Sequence, residues 1–219
     1  MRAYPVGNRL LRLTRQAHHD TGARPYKRTL DWALCLASGL PVLVLVAVAA
    51  AAVKLDTRGP ALFSQTRVGL HGRIFRMWKL RTMVVNAGEL EPQLQHLNQL
   101  PWPDFKITRD PRVTRVGRWL RRTSIDELPQ IWNVARGEMS WVGPRPTPFG
   151  LERYRAWHGE RLEALPGITG LWQVVARAAC NFDDRVRMDI AYVRNASLAL
   201  DLRLLLATVD AVWSGRGAV

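Results

Sequence analysis

The feature that most constrains this chain is an apolar run from Ala33 to Val53, which is 21 residues long and carries no charge. A helix needs roughly 20 such residues to cross a bilayer. Three interpretations compete: a cleaved signal peptide, a helix that spans the membrane, and a helix that enters and returns. The signal peptide is disfavoured because the run starts late and exceeds the usual length of about 7–15 residues, although Ala49–Ala52 offers the small residues of a cleavage site.

Charge on both sides of the run bears on the other two interpretations. Residues 1–28 carry seven basic groups and one acid, and residues 54–81 are also basic, with Asp56 as their only acid. Positive flanks favour the cytoplasmic side, so a spanning helix would export one of them. Pro41, with Gly39 before it, predicts a kink or a break. A broken helix with both ends in the cytoplasm and a kinked spanning helix both stay open on these residues alone.

The composition restricts the size of the fold and the classes of partner that the chain can bind. With 47% hydrophobic residues among 219, the chain can bury the core of one domain with appendages. The net charge of +14 predicts attraction to a polyanion, either nucleic acid or an anionic membrane surface. Cys35 and Cys180 show neither a disulfide framework nor a zinc spacing, so they favour a reducing compartment.

Two adjacent carboxylates, Asp126 and Glu127, follow a strongly basic segment. Residues 106–122 hold seven basic groups and one acid, Asp110. An ionised carboxylate in a cationic pocket can hold a metal ion or attack an electrophile, and arginines beside it can hold phosphate oxygens. Adjacent acids are also common at helix starts, where they suit the helix dipole. The pair alone therefore leaves a structural and a chemical role open.

Pro129 predicts how the acidic pair is held, because proline is tolerated only in the first turn of a helix. We expect a helix through Ile131 that begins near Asp126, with Asp126 as its N-cap. The end of such a helix favours a phosphate group. A capping box from Ser124 to Glu127 would place Pro129 too deep in the helix.

Other segments supply the expected frame. Residues 61–68 and 74–78 read as two strands of a hairpin, joined through residues 69–72. Lys79 and Arg81 alternate after the second strand and could equally form a solvated face. Helices are predicted at the start of 86–104, at 117–122, at 184–195 and at 197–213, the last with a polar side that suits either a core or a membrane interface.

Arg145 is held between two prolines, Pro144 and Pro146. The prolines restrict the backbone, which limits the entropy that is lost when the guanidinium grips an anion. Arg145 and Arg121, each taken alone, would most often be surface ion-pair partners.

Eight short motifs, in order, resemble the bacterial sugar transferases, the monotopic polyprenyl-phosphate phosphoglycosyl transferases. The resemblance covers about residues 27–218 and is specific because the motifs keep their order over some 190 residues. The motifs are residues 27–31 (KRTLD), 63–69 (FSQTRVG), 78–83 (WKLRTM), 123–134 (TSIDELPQIWNV), 137–146 (GEMSWVGPRP), 166–173 (PGITGLWQ), 192–195 (YVRN) and 215–217 (GRG).

The resemblance implies a reaction. A UDP-sugar donates its sugar-1-phosphate to polyprenyl (undecaprenyl) phosphate and UMP leaves, which is the first membrane step of exopolysaccharide, O-antigen or glycoprotein glycan assembly. It implies that Asp126 is the nucleophile, that Asp126 and Glu127 hold Mg²⁺, with Mn²⁺ as an alternative, and that four basic residues bind substrate phosphate or nucleotide: Lys79, Arg81, Arg121 and Arg145.

The resemblance also implies the architecture. The expected fold is helix-dominated α+β: a basic cytoplasmic tail (1–28), a re-entrant membrane helix broken at Pro41 (29–57), and a cytoplasmic catalytic domain (58–219) with a small β-hairpin and interfacial amphipathic helices. The resemblance places the enzyme on the cytoplasmic face of the bacterial inner membrane, in contact with lipid. Its product would be the substrate of downstream glycosyltransferases, and a homo-oligomer is compatible with the resemblance. No nucleic-acid partner is expected. The chain would be the short form of the family.

Two departures and two rivals accompany this interpretation. The family commonly has a Ser-Pro pair at the helix break, whereas here Leu40 precedes Pro41, and Pro41 lies about three residues earlier than the family's proline. The family also commonly has Gly-Arg after the turn that ends at residue 174, where this chain has Ala176-Arg177. Two alternative functions remain. A basic nucleic-acid-binding protein would leave the apolar run unexplained, and a non-catalytic membrane scaffold would give the carboxylate pair no role.

Overall fold

A computed structural model of the chain describes residues 24–213, except residue 102 and residues 177–179. Most of the predicted basic tail, Arg177 and the motif at 215–217 lie outside the described residues. Helices dominate the described part, as predicted. The helices are α1 (Pro25–Asp56), α2 (Ala87–Leu90), α3 (Arg115–Thr123), α4 (Ile131–Arg136), α5 (Leu171–Val175), α6 (Phe182–Asn195) and α7 (Leu198–Trp213).

Strands and 3₁₀ helices complete the described fold. The four strands are β1 (Leu62–Val68), β2 (Ile74–Leu80), β3 (Ser140–Val142) and β4 (Gly167–Thr169). The 3₁₀ helices are Leu70–Gly72, Pro92–Leu97, Ile125–Gln130, Leu151–Arg153 and Ala156–Glu163. The single helix expected at the start of residues 86–104 is instead α2 followed by a 3₁₀ helix. Pro92 begins that second element, where its missing N–H costs no helical hydrogen bond.

Helix α1 begins at Pro25, four residues before the expected boundary at residue 29, because proline is pre-organised for a helix's first turn. The helix continues without interruption through Pro41 to Asp56, so the expected break is not a gap in the helix. Pro41 and Ala37, whose carbonyl Pro41 cannot bond, are both exposed. A kink at Pro41 stays a prediction. Among the described residues α1 is the one helix that is long and apolar enough to cross a membrane.

One stripe of α1 packs against the rest of the chain at both ends of the apolar run. Near its start, Cys35 packs in a cluster with Phe75 of β2 and Val134 of α4. Near its end, Ala49 and Val53 pack in a second cluster with residues of β2 and α3. Cys35 and Val53 are 18 residues apart, which is about 27 Å along a helix. The same domain therefore contacts α1 at two points almost a bilayer core apart.

The predicted hairpin is confirmed. Strands β1 and β2 are antiparallel, and their register sets Phe63 opposite Lys79 and Arg67 opposite Phe75. Opposite residues share a face, and so do residues two apart on one strand. Phe75 and Met77 of this face are buried against α4. Lys79 and Arg67 therefore belong to the face that packs on the domain rather than to the outer one.

A glycine positions α3 against the segment that follows β2. A side chain at Gly117 would bring its Cβ within 2.1 Å of the Thr82 carbonyl oxygen. Thr114 caps this helix by accepting a hydrogen bond from the Gly117 N–H at 2.9 Å. The close approach carries Arg121, one helical turn further on, to Thr82. The helix predicted at residues 117–122 is confirmed, with a start two residues earlier.

The start of α1 is tied to the far end of the chain by buried charge. Lys27 Nζ donates hydrogen bonds to the Val142 carbonyl (2.6 Å), the Tyr192 hydroxyl (2.7 Å) and the Asp201 carboxylate (2.7 Å). The hydroxyls of Tyr192 and Tyr26 also donate to Asp201. We call Tyr26, Lys27, Tyr192 and Asp201 the anchor cluster. It fixes the start of α1 against the rest of the described fold.

The last two helices confirm their predictions within two residues. Their packed sides form a core that includes Tyr192, Leu200 and Leu204. The other side of α7 exposes large apolar residues at helical spacing (Leu198, Leu202, Leu206, Val209 and Val212). Contact of this side with a membrane interface stays a prediction.

Candidate active site

The acidic pair lies in the 3₁₀ helix Ile125–Gln130, which follows α3 directly. Ser124 ends α3 in the left-handed conformation (φ 57°), and its N–H bonds back to the carbonyls of Arg121 and Leu120. The predicted N-cap role of Asp126 and the alternative capping box are therefore both wrong. The turn after α3 already satisfies the backbone, and Pro129 is accommodated by a 3₁₀ segment.

Glu127 is the neutralised member of the pair. Lys79 Nζ donates to Glu127 Oε1 at 2.9 Å, and the Arg145 guanidinium donates to both oxygens, with Nη1 to Oε2 at 2.9 Å. Burial alone would raise the pKa of Glu127, but the charges and hydrogen bonds of Arg145 and Lys79 outweigh it and hold the pKa well below its usual range. Glu127 is thus an ionised group that locks two cations in place.

Asp126 is the uncommitted member. Its side chain is buried, and it forms no ion pair with any described residue. Burial and the negative charge of Glu127 raise the pKa of Asp126 to about 6, while Lys79 and Arg121 oppose the rise. Asp126 is therefore still mostly ionised at neutral pH and has no cation paired with its oxygens among the described residues. Such a carboxylate is available to a metal ion or to an electrophile.

Arg121 lies close enough to Asp126 for the two charges to interact. Its Nε donates to Thr82 Oγ1 at 2.9 Å, which orients the guanidinium. Burial lowers the pKa of Arg121, and the charge of Asp126 counteracts that shift. Its terminal nitrogens remain available to a negatively charged group near Asp126.

Arg81 is placed elsewhere and is the one predicted binding residue that does not join the pair. Strand β2 ends at Leu80, and Arg81 turns back to donate to the carbonyls of Arg58 (2.8 Å), Thr57 (3.0 Å) and Gly59 (3.4 Å). Those carbonyls form the turn after α1. Arg81 therefore fixes the turn that follows α1, because both terminal nitrogens of its buried guanidinium bond the carbonyls there.

A second buried guanidinium holds the Arg145 loop. Arg161 donates to the Arg145 carbonyl and to Asp189. Burial raises the pKa of Asp189 to about 6, although the charge of Arg161 lowers it. The predicted rigidity of residues 144–146 thus has a further source, which the sequence did not reveal because Arg161 and Asp189 lie 28 residues apart.

The site also contains Arg67, which the motif of residues 63–69 included without a role. Its side chain is buried, with 7% exposed, and the charges of Arg145 and Glu127 both act on it. The alternation of β1 and its register with β2 could have indicated this position, because they set Arg67 on the same face as Lys79.

The oxygen donors suit a metal that needs few protein ligands. The described residues hold no group of three or more His, Cys, Asp or Glu side chains that could cage an ion. Magnesium is commonly bound by one or two carboxylates together with water and substrate phosphates. Asp126 has a free carboxylate for such a bond, while Glu127 is already bonded to Lys79 and Arg145. The residues present therefore fit a magnesium ion held mainly by Asp126 and by substrate.

An acidic pair with one free carboxylate, set among buried cations and tied to a long apolar helix, defines a class: enzymes that act on phosphorylated substrates at a membrane. Comparison with known sequences places the chain within that class. It belongs to the bacterial sugar transferase family, whose model matches residues 22–215.

Curated relatives differ in length. The chain is 46% identical over 162 residues to the galactosyl transferase CpsE of Streptococcus agalactiae serotype III (strain NEM316), which aligns 73% of this chain but 36% of CpsE. It is 39% identical over 214 residues to the exopolysaccharide production protein ExoY of Rhizobium meliloti (strain 1021), with 91% and 92% covered. The chain therefore spans about a third of the length of the CpsE relative and nearly all of ExoY.

A third relative carries a fuller description. The chain is 42% identical over 198 residues to a protein of Caulobacter vibrioides (strain ATCC 19089 / CIP 103742 / CB 15) named UDP-glucose:undecaprenyl-phosphate glucose-1-phosphate transferase, with 85% of this chain and 69% of that protein covered. These names describe the relatives.

Proposed function

We propose that this chain transfers a sugar-1-phosphate from a UDP-sugar to polyprenyl phosphate and releases UMP, as the first membrane step of glycan assembly. One observation carries the proposal: Glu127 is neutralised by Lys79 and Arg145, whereas its neighbour Asp126 is buried, unpaired among the described residues and beside Arg121. One carboxylate is paired with cations and the other is unpaired, so Glu127 can hold the cations while Asp126 attacks the substrate.

In the first step an Asp126 oxygen attacks the phosphorus that carries the sugar. The new bond joins Asp126 to that phosphorus, and the bond from the same phosphorus to the bridging diphosphate oxygen breaks. UMP leaves with that oxygen and its electron pair. Arg121 and Arg145 stabilise the negative charge that spreads over the phosphoryl oxygens, and their effect is stronger than in open solvent because both are half-buried.

In the second step an oxygen of polyprenyl phosphate attacks the aspartyl phosphosugar. The bond from phosphorus to Asp126 breaks, the carboxylate is restored, and the sugar is left on a polyprenyl diphosphate. A covalent intermediate lets a polar nucleotide and a lipid use one site in turn. A bound Mg²⁺ would supply Lewis-acid charge stabilisation on the diphosphate.

The sugar stays open. The names of relatives include galactose and glucose phosphotransferases from undecaprenyl phosphate systems, and the described side chains give no means of choosing between them. The lipid substrate, rather than the sugar, is the shared part of those names.

The packing of α1 supports a re-entrant or shallow topology with both ends of the helix in the cytoplasm. The catalytic domain contacts α1 at Cys35 and again at Val53. A straight spanning helix would carry the second contact, about 27 Å further along, to the opposite side of the hydrocarbon core. The exposed face of the same helix presents large apolar residues to lipid (Leu36, Leu40, Leu43, Val44, Leu45 and Val48).

The chemical proposal is tested by incubating purified protein in detergent with donor labelled in the phosphate next to the sugar, first without lipid acceptor. Label should become covalently attached, and Asp126→Asn should abolish both attachment and UMP release. Because burial raises the pKa of Asp126, its charge is unfavourable in the fold, so Asp126→Asn should not lower the melting temperature. Asp184→Asn, a half-exposed aspartate outside the site, is the matched control. Turnover by Asp126→Asn near the wild-type rate contradicts the nucleophile.

The topological proposal is tested with a cysteine in place of Leu55, which is 89% exposed near the end of α1. Cys180 is replaced by alanine to lower the background, and the other native cysteine, Cys35, is buried. In intact cells the new cysteine should resist a membrane-impermeant thiol reagent and react after the cells are opened. Reaction in intact cells would show that the end of α1 is outside.

A further inference from the structure

Arg67 lies on the hairpin face that carries Lys79 to the acidic pair. Residues 63, 65 and 67 share this face, and Phe63 is the partner of Lys79. Four residues along a strand separate Phe63 from Arg67, which is about 13 Å. Arg67 therefore extends the cationic region away from Lys79 along the hairpin. At that end Val68, Gly69 and Arg145 line one small cavity, so the Arg145 loop reaches the same part of the strand.

The guanidinium of Arg67 is buried but mostly unpaired. Its Nη2 donates to Gln65 Oε1, while Nε and Nη1 have no hydrogen-bond partner among the described residues. Nε and Nη1 together carry three of the five N–H groups of an arginine. Three other buried arginines differ: Arg112 and Arg161 each bond a carboxylate directly, and Arg81 places both terminal nitrogens on backbone carbonyls. A buried cation without an anion is costly, and the described residues supply no anion that bonds Arg67.

The charges around Arg67 favour an incoming anion. Burial, followed by the charge of Arg145, lowers the pKa of Arg67 to about 10, and Glu127 opposes this shift. Arg67 is therefore protonated at neutral pH. Arg67, Lys79 and Arg145 bring three positive charges to the region, and Asp126 and Glu127 bring two negative ones. Because Lys79 and Arg145 already bond Glu127, Arg67 is the cation of this group with most donors still to satisfy.

We propose that Arg67 binds a phosphate group of a substrate through its unpaired N–H groups, at a position separate from the phosphorus that Asp126 attacks. This inference rests on the proposed function and assigns a role within the same site. Two sources share the required chemistry: the phosphate that leaves with the nucleotide and the phosphate of the lipid acceptor. In either case Arg67 holds charge in place and takes no part in bond making.

The test measures binding separately from turnover. Full-length protein in detergent micelles is titrated with UDP and, in a second arm, with a short-chain polyprenyl phosphate, for wild type, Arg67→Gln, Arg67→Lys and Arg76→Gln. Arg76 is the matched control because it is an exposed arginine on the adjacent strand, opposite Thr66 and on the outer face. Loss of a charge-assisted hydrogen bond should weaken binding about 10- to 100-fold in Arg67→Gln, with partial recovery in Arg67→Lys and no change in Arg76→Gln.

Each outcome of the titrations either supports or overturns the proposed role of Arg67. Weaker UDP binding with unchanged lipid binding identifies the nucleotide as the source, and the reverse identifies the lipid; either supports the proposal. Affinities for both ligands within about twofold of wild type overturn it, as does a fall in the ligand-free melting temperature with unchanged affinities, which would make Arg67 structural. If the wild type releases no UMP from any donor, the proposed function fails, and the two titrations still report on Arg67.

Discussion

Two of the charged clusters among the described residues differ in how completely the chain's own groups satisfy them. In the anchor cluster Lys27 uses all three ammonium donors on Val142, Tyr192 and Asp201, and Asp201 accepts on both oxygens. The second set, which we call the dyad cluster, comprises Arg67, Lys79, Asp126, Glu127 and Arg145. There Asp126 lacks an ion-pair partner among the described residues, and Arg67 keeps unpaired donors.

The difference separates charge that holds the fold from charge that awaits a ligand. Both clusters join residues far apart in the chain, and both bury lysine against a carboxylate. Only the dyad cluster has a carboxylate and a guanidinium left over, with opposite charges and different positions. A substrate that brings phosphate oxygens and a metal ion could satisfy both at once. In the anchor cluster, by contrast, the donors of Lys27 and both oxygens of Asp201 are already bonded.

The largest effect is expected from Glu127→Gln, which removes the anion that holds Lys79 and Arg145. Breaking a buried ion pair on one side typically costs about 3–5 kcal/mol, so the melting temperature should fall and turnover should be lost as well. The folded pKa of Glu127 is depressed, so its stabilisation is present above its unfolded pKa of about 4.3 and is lost as the pH falls below that value. Thermal unfolding at pH 7 and at pH 4 should show the deficit shrinking at the lower pH.

Glu160→Gln is the control for that change, since Glu160 accepts from Arg194 at a half-exposed pair. Such pairs contribute about 0–1 kcal/mol. A Glu127→Gln protein as stable as this control would mean that the dyad cluster does not depend on Glu127 for its arrangement.

Asp201→Asn should produce the next effect, in stability alone. It leaves Lys27 buried beside a neutral amide, and we expect a loss of about 3 kcal/mol. Because none of the hydrogen bonds of the anchor cluster reaches Asp126 or Glu127, the fraction that remains folded should keep its kcat and its KM for the UDP-sugar. A drop in kcat without a drop in melting temperature would show that the anchor cluster tunes the site and would break the distinction between the two clusters.

The sequence predicted the local elements well, because their signals are local. Two short runs joined through residues 69–72 predicted the hairpin of β1 and β2, and α6 and α7 were predicted within two residues of their bounds. The 3₁₀ helix at residues 125–130 was missed. Its cause is the left-handed Ser124, and a serine in that conformation leaves no distinctive pattern.

The sequence predicted only part of the site, because local patterns do not show contacts between residues far apart in the chain. The motif that contains Lys79 and Arg81 gave both residues the same expectation, but β2 ends between them, and one binds Glu127 while the other binds the turn after α1. The pairing of Lys27 with Asp201 spans 174 residues, and no local pattern could reveal it. Arg67 needed the register of the hairpin and a count of its hydrogen bonds.

Arg81→Gln should have a smaller effect and sharpens the assignment of that residue. The change removes hydrogen bonds from a charged group to three carbonyls, which together should cost about 1–3 kcal/mol. We expect a lower melting temperature and an unchanged KM for the UDP-sugar. Lys79→Gln is the contrast, because that residue bonds Glu127 and its loss should lower turnover. A raised KM for Arg81→Gln would return Arg81 to the binding residues.

The smallest effect is a pH dependence that distinguishes the two neighbouring carboxylates. Since kcat/KM reports the free enzyme and the pKa of Asp126 is raised to about 6, kcat/KM should fall about tenfold per pH unit below that point, as the nucleophile becomes protonated. Glu127 cannot cause this fall, because its pKa is depressed.

Arg121→Gln should move the midpoint of that profile upward. The positive charge of Arg121 stabilises the Asp126 carboxylate, so its removal makes the proton harder to lose. Arg118→Gln is the control, because Arg118 lies on the same helix with an exposed side chain that bonds the Val113 carbonyl. The midpoint is read from the shape of the profile and is therefore independent of any overall loss of rate in Arg121→Gln. A wild-type profile that stays flat from pH 7 to pH 5 would mean that the carboxylate left unpaired in the dyad cluster is not the group that attacks.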